Sequence, residues 1–248
     1  MLVDTHCHVH EPSYPLATSD ILRRAQESGV EKMVCVGTSE QSSLEAIQFA
    51  EKYDHVFASI GVHPHDTKDG YAALEALQSQ KIVAVGEIGL DYFYTHSPRE
   101  VQIAALRVQI ELAISRDLPI IFHVRDAFDD FWPIFDSYAP NIRGVLHSFT
   151  DSKENMMAAI ERGLYIGVNG ISTFTKDEPQ KEMFASIPVD RLLVETDAPF
   201  LTPSPLRGKV NEPAYVRQVA EHHARIHGLS FDELAAITSA NAHALFAL

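Results

Sequence analysis

In the opening stretch MLVDTHCHVH, His6 and His8 stand two residues apart. On a β-strand that spacing puts both side chains on one face and Cys7 on the other. Two imidazoles aimed at one point are ordinary ligands for zinc, manganese and related divalent ions. Polar residues close other apolar runs in the same way. KIVAVGEIG carries Glu87 and is followed by Asp91; LPIIFHV ends in His123 with Arg125 beyond it; RGVLHSF carries His147 and Ser148; RLLVETD carries Glu195 and Asp197.

A single histidine at a strand end is commonly a hydrogen-bonded core or surface residue. A set of them is different, because carboxylates and imidazoles ending apolar runs are costly to bury unless they satisfy one another or a metal. His6, His8, Glu87, His123, His147 and Asp197 are therefore read as metal ligands. Six groups exceed the three protein ligands of a catalytic zinc with an open position. Two divalent cations, magnesium, manganese or zinc, fit better, with His6 and His8 on one ion, His123 and His147 on the other, and Glu87 shared between them.

Such a pair lowers the pKa of a bound water and polarises a phosphoryl or carbonyl oxygen, which is hydrolytic chemistry. Asp197 and Glu87 are the catalytic candidates, Asp197 as ligand and as acceptor of the attacking water's proton. Three residues are candidates for holding a substrate phosphate. Arg125 suits bidentate contact with phosphate oxygens, or else an ion pair with Asp126, Asp129 or Asp130. Arg207, with Lys209 in LRGKVNEP, is local positive charge or ordinary surface. His63, in GVHPH, is a site residue or a turn residue. His10 and His65 read as loop residues, and His222, His223, His227 and His243 as solvated or packing residues.

Elements of two kinds must position these groups. Strand-like runs are LVDTH, KMVCVG, Val56–His63, Lys81–Gly89, Leu118–Val124, Arg143–Phe149, Leu164–Gly170 and Arg191–Asp197. Amphipathic helical segments fall at Ser19–Ser28, Gln41–Tyr53, Tyr71–Gln80, Pro98–Arg116, Ala127–Ser137, Ser152–Arg162 and Pro179–Ile187. Two more, Ala214–His227 and Phe231–Phe246 with Ser230 as N-cap, follow a Pro-rich loop at Ala198–Pro213. Eight strands alternating with helices predict a single (β/α)8 barrel over residues 1–248, with its chemistry at the C-terminal ends of the strands. Continuous apolar strands agree, since parallel strands are buried on both faces.

The bulk numbers fit one large α/β domain: 248 residues, 46% hydrophobic and 22% charged. No apolar run spans a bilayer and no signal peptide is evident, so cytoplasmic residence is expected. The two cysteines, Cys7 and Cys35, lie in apolar strands rather than in a disulfide or zinc-finger spacing. A net charge of −14 excludes a general basic surface for holding nucleic acid, and any such partner must be held locally.

Ordered motifs along nearly the whole chain resemble the TatD family of metal-dependent hydrolases, within the amidohydrolase-like superfamily: DTHCH, GVHPH, VGEIGLDYF, LPIIFHVRDAFDD, GVLHSF, LLVETDAPFLTP, RGKVNEP and the closing NAHALF. The resemblance implies a metal-dependent deoxyribonuclease of exonuclease type, with DNA as substrate and ions held at the positions of His6, His8, Glu87, His123, His147 and Asp197. Val210 departs from the family's usual basic residue in RGKVNEP, which weakens phosphate contact there, and His10 stands where the family has a variable loop. The alternative is an amidohydrolase or esterase acting on a small molecule. Its common lysine bridge has no counterpart, because Glu87 holds that place and Lys81 begins the strand at the opposite end. A non-catalytic protein with a structural ion is a third reading. No membrane and no obligate protein partner is indicated.

Overall fold

The computed structural model describes all 248 residues. In chain order the elements are β1 (Leu2–Cys7), α1 (Thr18–Glu27), β2 (Val30–Val36), α2 (Glu40–Ala50), β3 (Val56–Ile60), β4 (Ile82–Asp91), α3 (Arg99–Ser115), β5 (Ile120–Arg125), α4 (Phe128–Tyr138) and β6 (Gly144–Leu146). They continue with α5 (Lys153–Glu161), β7 (Tyr165–Val168), the single turn α6 (Ile171–Phe174), α7 (Glu178–Ser186), β8 (Leu192–Val194), α8 (Val216–Ile226) and α9 (Phe231–Phe246).

Eight strands form one sheet in sequence order. Parallel pairing is seen for β1 with β2, β3 with β4, β4 with β5, β5 with β6, and β7 with β8. The chain leaving β8 bonds back to the end of β1: the Asp197 N–H donates to the His6 carbonyl at 2.8 Å, and the His8 N–H to the Ala198 carbonyl at 2.8 Å. With a helix after every strand but β3, this is the expected eight-stranded α/β barrel. No helix is long and apolar enough to cross a membrane.

Residue contacts group the chain into two compact units, Met1–Cys35 with Ser148–Leu248, and Val36–His147. The first is built on β1, whose six residues are all buried, and on α8 and α9. The Ser230 hydroxyl accepts the Glu233 N–H while Glu233 accepts the Ser230 N–H, a reciprocal cap that starts α9 where the sequence placed it. Cys7 and Cys35 are buried and free. The second unit is built on β4 and β5, with Phe122 packed edge to face against Phe131 and Phe135.

One expected helix does not form. Tyr71–Gln80 holds only a short 3-10 turn at Ala72–Ala76. The backbone there is satisfied from outside: Arg116 donates to the carbonyls of Leu77 at 2.8 Å and Glu75 at 2.7 Å, and Glu40 accepts the Ala73 N–H at 2.6 Å. Arg116 thus caps the end of this turn, and with Leu74 alone in it buried the segment has no apolar face to dock as a longer helix.

His223 on α8 is fully buried, with Nε2 at 3.0 Å from the Ser172 hydroxyl, and burial holds its pKa well below the ordinary value. Below pH 6.5 the unfolded chain takes up a proton that folded His223 refuses. Its contribution is therefore present above that pH and lost as the pH falls. Chemical denaturation of wild type and His223→Gln from pH 7.5 to 5 should differ in slope by up to about 1.4 kcal/mol per pH unit.

Candidate metal centre

In the first unit, alternation on β1 does what its spacing requires. His6 Nε2 and His8 Nε2 lie 3.2 Å apart, and Asp197 Oδ1 lies 3.7 Å from the first and 3.3 Å from the second. His6 is fully buried and His8 nearly so. Metal bonds of about 2.1 Å in tetrahedral geometry separate ligand atoms by about 3.4 Å, so these three atoms fit one divalent ion. Asp197 reaches its place with φ of 58°, a left-handed conformation that aspartate tolerates better than most residues and that the bond to the His6 carbonyl holds.

Behind this trio Asp4 locks β1 to the segment after β8. It accepts the Thr196 N–H at 2.9 Å, lies 2.6 Å from the Thr196 hydroxyl and accepts the His6 N–H at 3.4 Å. Burial pushes the Asp4 carboxyl up to about 8, against these hydrogen bonds, which pull it down. An acid whose folded pKa is raised favours folding at low pH, and that contribution is lost as pH rises through about 8. Asp4→Asn keeps the shape and a permanently neutral group, so its melting temperature should hold between pH 5 and 8 while that of wild type falls over the same range. Asp4→Ala strands the Thr196 donors and should cost about 1–3 kcal/mol in thermal melts.

Glu195 is a buried carboxylate that the sequence placed at a strand end without a role. Its Oε1 accepts the Ser148 N–H at 2.7 Å, and Gly167 leaves the room it occupies, since a Cβ there would stand 2.6 Å from Oε2.

In the second unit Glu87, inside β4, gathers three imidazoles around one oxygen. Oε1 lies 2.9 Å from His123 Nδ1, 3.4 Å from His63 Nε2 and 3.7 Å from His147 Nε2. His63, Glu87 and His123 are close enough to share an ion. Donor types and spacings in both units thus fit divalent metal. His63, a phosphate candidate or a turn residue by sequence, stands in this cluster with its ring 4.4 Å from that of His123. Burial and the charge of His123 bring the His63 pKa down to about 4, so it is a neutral imidazole at pH 7.

His65 is not a mere loop residue. Its Nε2 lies 3.1 Å from Asp91 Oδ2, the oxygen that also meets His123 Nε2 at 2.9 Å. Asp91 Oδ1 accepts the N–H groups of Phe93 at 3.0 Å and Tyr94 at 2.8 Å. Burial pushes the Asp91 carboxyl up, but hydrogen bonds from His123, the Tyr94 amide and His65 outweigh it and hold the group well below the carboxylate range. For His123, burial pulls down while Asp91 and Glu87 pull up, and the net is a raised pKa. A carboxylate on the far nitrogen fixes the ring plane and turns Nδ1 toward Glu87. Asp91 was visible at a strand end, but its link to His65 spans 26 residues of chain and follows no periodicity.

The other phosphate candidates lie outside these clusters of close ligand atoms. Arg125 is exposed and stacks on Phe93, its guanidinium 3.9 Å from the ring centre. None of the neighbouring aspartates pairs with it; Asp130 is taken by Arg99 at 2.6 Å and by the Tyr92 hydroxyl at 2.6 Å. Arg207 lies 3.9 Å over the Phe174 ring and donates to the Thr202 carbonyl at 2.8 Å.

The model of the family described as "TatD related DNase" matches residues 3–247. The chain belongs to the TatD family. A Bacillus subtilis relative described as the uncharacterized metal-dependent hydrolase YabD is 41% identical, covering 99% of both chains. The Salmonella typhimurium 3'-5' ssDNA/RNA exonuclease TatD is 38% identical, covering 92% of each. Among solved structures, the Escherichia coli TatD homologue YJJV superposes with a TM-score of 0.92 at 29% identity, over 100% of this chain and 98% of that one. A zinc-bound amidohydrolase from Burkholderia multivorans, at a TM-score of 0.64 and 11% identity, shares the fold. The chain is thus a metal-dependent hydrolase of the TatD family.

Proposed function

We propose that this hydrolase is a nuclease that removes nucleotides from DNA ends, working as one domain of residues 1–248 in the cytoplasm. The observation that carries the chemistry is the gathering of His63, His123 and His147 around one oxygen of Glu87, with His6, His8 and Asp197 as a second complete ligand trio. His6, His8 and Asp197 would hold one divalent ion, His123 and His147 another, with Glu87 shared. Bound there, paired ions lower the pKa of water and neutralise charge on a phosphoryl group.

The chain's own residues supply the rest. Asp197 is 15% exposed, open enough to accept a proton from water while its backbone is pinned to β1. His63, held neutral, can donate a hydrogen bond from its ring N–H to a phosphate oxygen. Arg125 and Arg207 supply exposed positive charge on an acidic chain. The substrate class is supported by the TatD relative's description as an exonuclease acting on single-stranded DNA and RNA.

A chelator-stripped sample reloaded with magnesium, manganese or zinc should release nucleotides from single-stranded DNA and be silenced by re-chelation. Loaded protein that leaves DNA intact but turns over amides or lactones would establish the small-molecule reading instead.

A further inference from the structure

Two large aromatic side chains follow Asp91 and face water: Phe93 is 54% and Tyr94 43% exposed. They are not loosely placed. Asp91 accepts both backbone N–H groups through Oδ1 while its Oδ2 meets His123, so one carboxylate sets the position of the rings and of a metal-ligand candidate together. Tyr94 packs edge-on against His65 at 5.4 Å and lies nearly parallel to His96, 14° between planes at 5.7 Å. Arg125 covers Phe93 at 3.9 Å and reaches Tyr94 at 5.0 Å, with no carboxylate holding it.

We propose that Phe93 and Tyr94, with Arg125, form a stacking subsite beside the His63–Glu87–His123 cluster that takes one unpaired base of a single-stranded nucleic acid. The inference rests on the nuclease reading and adds where the strand is held. An exposed ring offers a π-face that any base can use, and a guanidinium against the same rings adds charge for the adjoining phosphate. On a chain of net charge −14, such a local aromatic and cationic patch is the means by which a polyanion is held without a basic surface. Bases inside a duplex have both faces covered by their neighbours, so the subsite selects single strands or frayed ends.

The test uses the full-length, metal-loaded protein and single-stranded DNA oligonucleotides in which one abasic residue is moved along the strand. In wild type, one position should lower kcat/KM about tenfold or more, chiefly through KM. The double variant Phe93→Ala/Tyr94→Ala should lose as much on the intact oligonucleotide, and the two losses should not add at that position. Phe93→Leu/Tyr94→Leu keeps apolar area without a π-face and should show the same loss, with unchanged melting temperatures confirming the fold. Activity equal to wild type in the alanine variant, losses that multiply at every position, or full rescue by leucine would each overturn the subsite while leaving the nuclease reading standing. Wild type that cleaves no oligonucleotide would remove both.

Discussion

Glu87→Gln should lower kcat on single-stranded DNA about a thousandfold or more, the scale expected when a group that anchors transition-state charge stabilisation is lost. The substitution keeps size and shape, so the effect isolates charge. Glu87 Oε1 is the common neighbour of His63, His123 and His147, and an amide there offers a neutral oxygen or an N–H that repels a cation. Removing a nearly buried carboxylate also removes its desolvation cost, so the metal-free variant should melt within a few degrees of metal-free wild type. Metal content by plasma mass spectrometry should fall with activity. A variant that keeps both its ions and its rate would deny Glu87 its role.

Gly89→Ala should instead strongly destabilise the second unit. Gly89 pairs with His123 across β4 and β5, with φ of 154°, and a Cβ would stand 1.8 Å from the His123 carbonyl oxygen. Neither atom belongs to a flexible side chain, so the strands must part where Glu87 and His123 meet. Strain plus overpacking should cost about 3–5 kcal/mol. For a chain of this size that is a fall in melting temperature on the order of 10 °C or more. Gly163→Ala is the control: its φ of 79° is also positive, but a Cβ there meets nothing within 4 Å. It should cost about 1 kcal/mol, from backbone strain alone. Equal losses in the two variants would mean that close approach of β4 to β5 is unimportant.

The barrel was legible because its strands are short, apolar and regularly spaced, and the ligand candidates because each interrupts such a strand near its C-terminal end. Alternation alone separated His6 and His8 from Cys7. What stayed hidden depends on pairing between distant segments. His65 reads as a loop residue because its partner, Asp91, is reached only through the fold. The Tyr71–Gln80 segment has helical composition, yet Arg116 from the end of α3 takes its carbonyls. By sequence Arg125 is a phosphate ligand or an ion-pair partner; its stacking on Phe93 depends on β4 running on to Asp91, two residues past the apolar Lys81–Gly89 run, which brings the ring beside the end of β5.

Anomalous diffraction from crystals of the manganese- or zinc-loaded protein would count and place the ions directly. Two peaks per chain are expected, one against His6, His8 and Asp197 and one against His123 and His147, with Glu87 bonded to both. A single peak, or a Glu87 bonded to only one ion, would contradict the shared carboxylate on which the proposed hydrolysis depends.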